Sequence, residues 1–552
     1  MVALCDSSSM RLPFGPLTCR IEQPLRCGRR SHDYRRCGNR YGITTFWHES
    51  PASGAVWGAG HVTREDARRP ARLTDRQVAQ LDGLLSGEVI DPQHREYTRA
   101  RRIWNHTIDR YPAAVARCVN RADVATAIGF AREHGLELAV RGGGHSVVGQ
   151  SMIDDGLIVD LSAMQRVTVH PDTGTVRAEG GCLLADLDRA TQAHGLATPV
   201  GIVSSTGIGG LTLGGGMGWL TRKFGLTCDN LISAEVVLAD GTITAASAAA
   251  TPDLFWALRG AGTNFGAVTE FELATHPLGT TVAFGVALYG IDEAPAAIAH
   301  YERTMRNSTN DLTATVLLRR ATAEPGIPEE LIYRPMCGLV SVWTGDPRDA
   351  RAVNEELWKG ASKVFGGVEV VPYRELHTMN DAVLAAGACN YTKGGYLGRL
   401  DDDCIKSLVE SARTLPSTDS VIALTYRHGA QDHLDERETA FPARLADHCI
   451  TILTRWLPGV HGQPHINWAQ TTFGLVMACQ TARLCPNDTA AHDIDRAHDI
   501  YPGYDYARLR SAKAKYDPEN IFNTTLNLPP LDGGRRNSAR YQCTDARRDD
   551  RH

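Results

Sequence analysis

Arg141-Gly142-Gly143-Gly144-His145-Ser146 is the stretch on which the reading of this chain turns. Three consecutive glycines leave the backbone without side chains, so its N–H groups are free to close around an anion such as a pyrophosphate. A histidine at the rim of such a cradle meets whatever carries the phosphates. Taken alone the hexapeptide is equally a plain tight turn beside an ordinary polar residue. Its surroundings decide between the two.

Immediately upstream, Leu136-Glu137-Leu138-Ala139-Val140 reads as a strand that runs straight into the glycines. Before it, Asn120 precedes an amphipathic stretch, Ala122 to Glu133, with Val124, Ile128 and Ala131 on one helical face and Gly135 as its stop. Downstream come short strands at 157–161, 167–169 and 175–178, the last two joined by the turn Pro171-Asp172-Thr173-Gly174. Leu183 to His194 reads as a helix. Residues 233–238 and 242–244 flank Asp240-Gly241, a hairpin signal. This mixture, without a strict βαβ alternation, predicts an α+β fold rather than a dinucleotide-binding Rossmann sheet.

Past Pro277-Leu278-Gly279 the pattern changes to longer helical stretches, 294–305 and 347–365, between β-rich segments. The expected organisation is therefore an extension over 1–75 without periodicity, a first domain over 80–279, and a second over 280–500. Residues 501–532 return to the first domain, and 533–552 form a charged tail. At 552 residues the chain exceeds one core. A formal net charge of -5 gives no reason to expect a nucleic-acid partner, and no apolar run is long enough to span a bilayer. The 14 cysteines show no CxxC pair, which argues against a zinc site and fits reduced thiols in the cytoplasm. No metal is expected, and the oligomeric state is open.

Three further glycine-bearing stretches follow the first: Ser204-Ser205-Thr206-Gly207-Ile208-Gly209-Gly210, Leu213-Gly214-Gly215-Gly216-Met217-Gly218, and Asp253 through Gly266. Each alone fits close backbone packing. Their density points to a large phosphate-bearing ligand. Gly260-Ala261-Gly262 lacks the third glycine at the fingerprint spacing, so the ligand is not held as in a Rossmann fold.

With Gly225-Leu226-Thr227-Cys228-Asp229-Asn230, Ala267-Val268-Thr269-Glu270-Phe271, Tyr516-Asp517-Pro518-Glu519-Asn520-Ile521-Phe522 and Asn527-Leu528-Pro529-Pro530, these motifs stand in a specific order. Over about residues 80–530 the chain resembles FAD-linked oxidases of the vanillyl-alcohol-oxidase type (PCMH-type), in the berberine-bridge-enzyme-like branch. The resemblance implies a two-subdomain FAD-binding domain and an α+β substrate domain with an antiparallel sheet. It also implies that His145 carries the flavin covalently, and that Arg141, Gly142, Gly143 and Gly144, with Ser146, hold the pyrophosphate. Ser204, Ser205, Thr206, Gly207, Gly209 and Gly210 assist, as does Gly214. Val268 lies near the cofactor, and Asn527 reaches it from the returning chain.

Two departures stand out. Members with a doubly tethered flavin carry a cysteine where this chain has Val203, and Cys182 and Cys228 are not at that position. A single tether through His145 is expected. The tyrosine base of many relatives falls, in this register, near Ala482-Arg483-Leu484-Cys485, which has no tyrosine. A base is still required to accept a hydroxyl or amine proton. The candidates are Tyr391 and Tyr396, with Lys393 as an activating charge, and His428, each also readable as a packing aromatic or a surface polar residue.

The expected function is an FAD-dependent oxidoreductase. It takes a hydride from a small-molecule alcohol or amine, with O2 as reoxidant, and its composition fits secondary metabolism. Alternatives are a carbohydrate or hydroxy-acid oxidase, or a flavin-bearing drug-binding protein with little turnover.

Overall fold

The computed structural model describes residues 73–531, apart from 324–326, 479–482, 489–495, 502 and 525. The expected extension up to residue 72 and the tail over 533–552 lie outside the described residues. All described residues belong to one compact unit.

The first sheet is built from β1 (Glu88–Ile90), β2 (Ala114–Arg117), β3 (Leu138–Arg141) and β4 (Leu157–Asp160), in the order β1-β2-β4-β3. β2 and β3 both run parallel to β4, so the chain must cross over between them. Helix α1 (Arg121–Glu133) makes that crossing. Asn120 caps it by accepting from the Asp123 amide at 2.9 Å, and Val124, Ala127, Ile128 and Ala131 form its fully buried face. Burying one such Val or Ile side chain contributes roughly 1.5–3 kcal/mol, more than the cap's ~1 kcal/mol, so packing rather than propensity holds this helix. β3 ends at Arg141, delivering the three glycines at the sheet's edge.

The second sheet contains β5 (Val167–His170), β6 (Thr175–Glu179), β7 (Leu231–Val237), β8 (Ile243–Ser247) and β9 (Ala267–Ala274), in the order β5-β6-β9-β7-β8. The Asp240-Gly241 turn joins β7 to β8 as expected. Helices α2 (Leu184–Gln192) and α3 (Ile208–Leu213) lie between β6 and β7 in the chain, α3 carrying the second glycine motif.

The third sheet has eight antiparallel strands. They are β10 (Thr281–Gly290), β11 (Leu312–Arg320), β12 (Pro335–Trp343), β13 (Lys363–Pro372), β14 (Cys389–Leu397), β15 (Val421–Tyr426), β16 (His448–Trp456) and β17 (Arg483–Leu484). Their order is β13-β10-β12-β11-β15-β16-β14-β17. Helices α4 (Ala294–Asn307), α5 (Ala350–Trp358), α6 (Tyr373–Thr378), α7 (Asp402–Arg413) and α8 (Gln463–Ala478) connect these strands. Ala314, Val316, Leu318, Leu424 and Ile452 share one apolar core with Ile298 of α4, Leu357 of α5 and Leu408 of α7. The other face of the sheet looks into the cavity described below.

The helix expected over 347–365 stops at Trp358, and Lys363–Pro372 is a strand instead. Gly360 interrupts the helical run, and the β-branched Val368, Val370 and Val371 pair with β10. Cross-strand pairing, invisible in a local window, overrides helix propensity there.

Helix α9 (Tyr504–Tyr516) anchors the returning chain through a buried ion pair. The Lys513 ammonium donates to Asp517 Oδ2 at 2.6 Å and to the carbonyls of Asn264 and Phe522, each at 2.7 Å. Asp517 also accepts from the Ile521 and Phe522 amides at 2.8 Å. Burial pulls the ammonium below the ordinary lysine value while Asp517 opposes the shift. Lys513→Met leaves that carboxylate buried without its cation, and is expected to cost about 3–5 kcal/mol. Denaturant unfolding checks it; a variant within 1 kcal/mol of the wild type, on the order of experimental scatter, refutes the pair's role.

Candidate functional site

The first and second glycine motifs, remote in sequence, interlock backbone to backbone. A Cβ on Gly143 would lie 2.5 Å from the Gly207 nitrogen, and one on Gly207 would lie 2.4 Å from the Gly143 nitrogen. No side chain fits at either position, so the close approach itself requires glycine. Gly144 sits at φ +65, in the left-handed region, and turns the chain so that His145 faces inward.

These loops open onto a cavity of about 600 Å³. Gly142 to Ser146, Thr206, Gly207, Gly209, Gly210, Gly214 and Val268 line one end. The His145 ring stacks on Trp104, with centroids 4.5 Å apart and planes at 19°. Its Nε2 is buried without a hydrogen-bond partner. Burial lowers its pKa to about 4, so the imidazole is neutral near pH 7 and keeps a free lone pair.

The far end of the cavity is the third sheet. Thr313, Thr315, Leu317 and Arg319 of β11 alternate toward it, as do Val421, Ala423 and Thr425 of β15. Thr392 and Tyr396 of β14 and Cys449, Thr451 and Leu453 of β16 continue the same face. Cys485 to Asp488, just after β17, complete the wall.

The end of α6 and the loop after it close a side. His377 places Nδ1 against Asp188 and Nε2 against the Gly201 carbonyl, with both ring nitrogens engaged. Burial opposes its charge, but Asp188 prevails and raises its pKa. Asn380 donates to the Ile202 carbonyl at 3.0 Å, and Asp381 accepts from the Ser204 amide at 3.0 Å and its hydroxyl at 2.5 Å. The segment 201–204 is thereby tied to the substrate-side loop.

Two family profiles match the chain: "FAD binding domain" over residues 112–247, and "Berberine and berberine like" over residues 466–529. (R)-6-hydroxynicotine oxidase of Paenarthrobacter nicotinovorans is 40% identical over 470 residues, covering 81% of this chain and 97% of that protein. This chain belongs to the FAD-linked oxidase family. The solved 6-hydroxy-D-nicotine oxidase of Arthrobacter nicotinovorans superposes with a TM-score of 0.71 at 25% identity, over 80% of this chain and 98% of its own. Glucooligosaccharide oxidase from Acremonium strictum, described with a 6-S-cysteinyl, 8α-N1-histidyl FAD, gives a TM-score of 0.73 at 21% identity, over 82% of this chain and 99% of its own. The fold is the PCMH-type, berberine-like one, and the enzyme is an FAD-dependent oxidoreductase.

The glycine cradle, the cavity above it and the orphaned His145 Nε2 fit an FAD-linked oxidase's cofactor. Some expected contacts sit differently. Ser204 gives its hydroxyl to Asp381, and Ser205 is exposed and off the cavity wall. Arg141 directs one guanidinium nitrogen to the Ala100 carbonyl and leaves Nε buried and unpartnered, without lining the cavity. Asn527 keeps a buried, unpartnered Oδ1 beside Leu528, whose amide donates to Asn264. Val203 lines the cavity.

The three candidates for the oxidase's base are not brought together. Tyr391 and Tyr396 are separated by an odd number of positions on one strand, so they face opposite ways. Tyr396 reaches the cavity; Tyr391 points to α8, where Gln470 donates to its hydroxyl at 3.4 Å. Lys393 lies on Tyr391's face, its ammonium 5.3 Å from the Phe473 ring, and cannot activate Tyr396. His428 lies away from the cavity, with Nδ1 2.9 Å from Asp432 and Nε2 2.6 Å from Asp447. Trp104, Thr451 and Asp488 were not singled out from sequence. The polar alternation Thr313-x-Thr315 within an otherwise buried strand was a readable signal for the floor; Trp104 had none.

Two outcomes follow from this geometry. Gly207→Ala forces apart the two loops, so the purified protein is expected to lose most of its flavin and several degrees of melting temperature, roughly the cost of overpacking; the flavin-to-protein absorbance ratio and a melting curve check it. Asp432 and then Asp447 raise the His428 pKa. The stabilisation is therefore fully present below the ordinary histidine value of about 6.5 and is lost as pH rises through the folded-state value. A melting temperature deficit of His428→Gln should be largest near pH 5.5 and shrink away as pH rises through the raised folded-state value. A constant deficit across that range refutes the pairing.

Proposed function

We propose that this chain oxidises a small-molecule alcohol or amine with an FAD held covalently through His145 alone. The carrying observation is the neutral His145 ring, stacked on Trp104 at the rim of the glycine cradle, with a buried Nε2 that has no protein partner. An unpartnered buried nitrogen costs stability unless something absent from the polypeptide engages it. A neutral imidazole is also the form able to bond to carbon. Val203, with no nucleophile, supports a single tether where the glucooligosaccharide oxidase has two.

Bound FAD supplies a two-electron acceptor for the hydride leaving the substrate carbon, with O2 as its reoxidant. The chain's own residues do the rest. Gly142 to Gly144, with Gly207, Gly209 and Gly210, offer backbone N–H groups to the pyrophosphate, while the Thr206 and Ile208 amides are held by the Val203 and Cys182 carbonyls. The threonine-bearing face of β11, β15 and β16 presents hydroxyls and apolar atoms to a small substrate over the cofactor. Buried free cysteines among the described residues support a reducing, cytoplasmic setting, and no helix among those residues is long and apolar enough to cross a membrane.

Acid-precipitated wild-type protein should keep its flavin fluorescence, and peptide mapping should place a single flavin on the peptide containing His145. His145→Ala should release all flavin to the supernatant; a yellow His145→Ala pellet refutes the tether. Anaerobic bleaching with 6-hydroxynicotine, benzyl alcohol and benzylamine, followed by peroxide release in air, tests the alcohol or amine assignment.

A further inference from the structure

Two carboxylates outside the sequence expectations line the cavity, the exposed Asp419 and the more enclosed Asp488. Asp488 follows the short turn Pro486–Asp488 after β17, its amide donating to the Cys485 carbonyl at 3.2 Å. Its place is made by a missing side chain. A Cβ on Gly394 of β14 would lie 2.2 Å from the Asp488 Cβ, so only glycine at 394 lets the carboxylate sit against the sheet. The neighbouring Asn487 is wedged against the cofactor side in the same way. A Cβ on Gly214 would come within 1.9 Å of Asn487 Oδ1, and Asn487 Nδ2 donates to the Leu211 carbonyl at 3.4 Å. Residues 485–488 therefore bridge the cap of α3 and the substrate sheet, at the junction where substrate must meet the flavin.

The carboxylate is built in but left uncommitted. Thr451 donates to Oδ2 at 2.9 Å. No cation pairs with it, and Oδ1 has no partner, among the described residues. Burial raises its carboxyl pKa above the usual range, which strengthens it as a proton acceptor. Tyr396, the other ionisable group on this wall that sequence singled out, is engaged differently. Its hydroxyl donates to Cys485 Sγ at 3.2 Å, and burial holds its pKa well above 10 although the Arg427 guanidinium lies 4.4 Å from its ring. It is a protonated donor rather than a base.

We propose that Asp488 is the catalytic residue that accepts the substrate's proton, with Thr451 fixing its orientation. The inference rests on the oxidase reading above. As the substrate O–H or N–H bond breaks, its proton passes to Asp488 Oδ1. The carbon's hydride goes to the flavin, so the substrate loses two electrons, the flavin gains two, and a C=O or C=N bond forms. The proton then leaves to water. Cys449, Cys485 and Tyr396 are the titratable groups packed around the carboxylate, from β16, the turn itself and β14.

The test uses the holoprotein and sulfite, an anion that reversibly bleaches oxidised flavin without any substrate. Asp488→Asn removes a negative charge and keeps the shape. Sulfite should bind the variant about tenfold more tightly than wild type above the carboxyl's pKa, equivalent to one pKa unit of interaction, with the ratio falling to one at lower pH. Thr451→Val, which removes the hydrogen bond to the charged form, should move that midpoint to higher pH. Anaerobic bleaching by whichever of 6-hydroxynicotine, benzyl alcohol or benzylamine reduces the wild type should slow about a hundredfold or more in Asp488→Asn. A sulfite affinity ratio of one at every pH, or unchanged bleaching, overturns the proposal. Failure of the oxidase reading looks different: the wild type then holds no flavin and sulfite has nothing to bleach. Covalent flavin retained in Asp488→Asn, seen as fluorescence after acid precipitation, excludes misfolding as the cause.

Discussion

The structure depends on one contact, the backbone-to-backbone approach of Gly143 and Gly207. Neither position tolerates a Cβ, because each would place it within 2.6 Å of main-chain atoms of the other. That approach brings the end of the first sheet against the start of α3, and creates a rim of bare amides around one end of the cavity. His145 inherits its position from it: Gly144 turns the chain and Trp104 stacks the ring. The histidine's burial, its depressed basicity and its unpartnered nitrogen all descend from two hydrogen atoms where other residues carry carbon.

The second constraint is the fastening of the substrate side to this rim. His377 engages Asp188 and Gly201, Asn380 engages Ile202, and Asp381 takes both Ser204 donors. At the other edge Asn487 meets Gly214, and Lys513 with Asp517 pins the returning chain to Asn264 and Phe522. The His377 and Lys513 contacts among these are buried, where geometry is strictly enforced because a lost partner leaves a buried group unsatisfied. The cavity is thus walled by segments far apart in sequence but held in register.

The strand β14 shows how a local reading stops short. Its residues were identified as candidates by type, yet strand parity allows only one of Tyr391 and Tyr396 to face the flavin side. The parity was in the sequence; which face looked inward was not, because that depends on α8 covering the Tyr391 side. His428 likewise reads as a potential base until Asp432 and Asp447, the latter from a different segment, are seen to hold it. Asp488 was missed for the converse reason. Nothing near it in sequence marks it, and its environment is supplied by Gly394 on the adjacent strand β14 and Thr451 on β16 beyond it.

What the sequence determined by itself is the chemistry of short-range parts. The glycine runs, the helix after Asn120 and the Asp240-Gly241 hairpin specified an α+β fold, because each is set by a few adjacent residues and their backbone preferences, and the order of the motifs carried the resemblance to FAD-linked oxidases. The tertiary structure alone decided which carboxylate, phenol and hydroxyls share the cavity. It also decided that residues 363–372 form a strand, and that Ser204 serves the loop rather than the cavity. Those outcomes depend on cross-strand neighbours and on burial, which remove water and assign partners between residues that local sequence keeps apart.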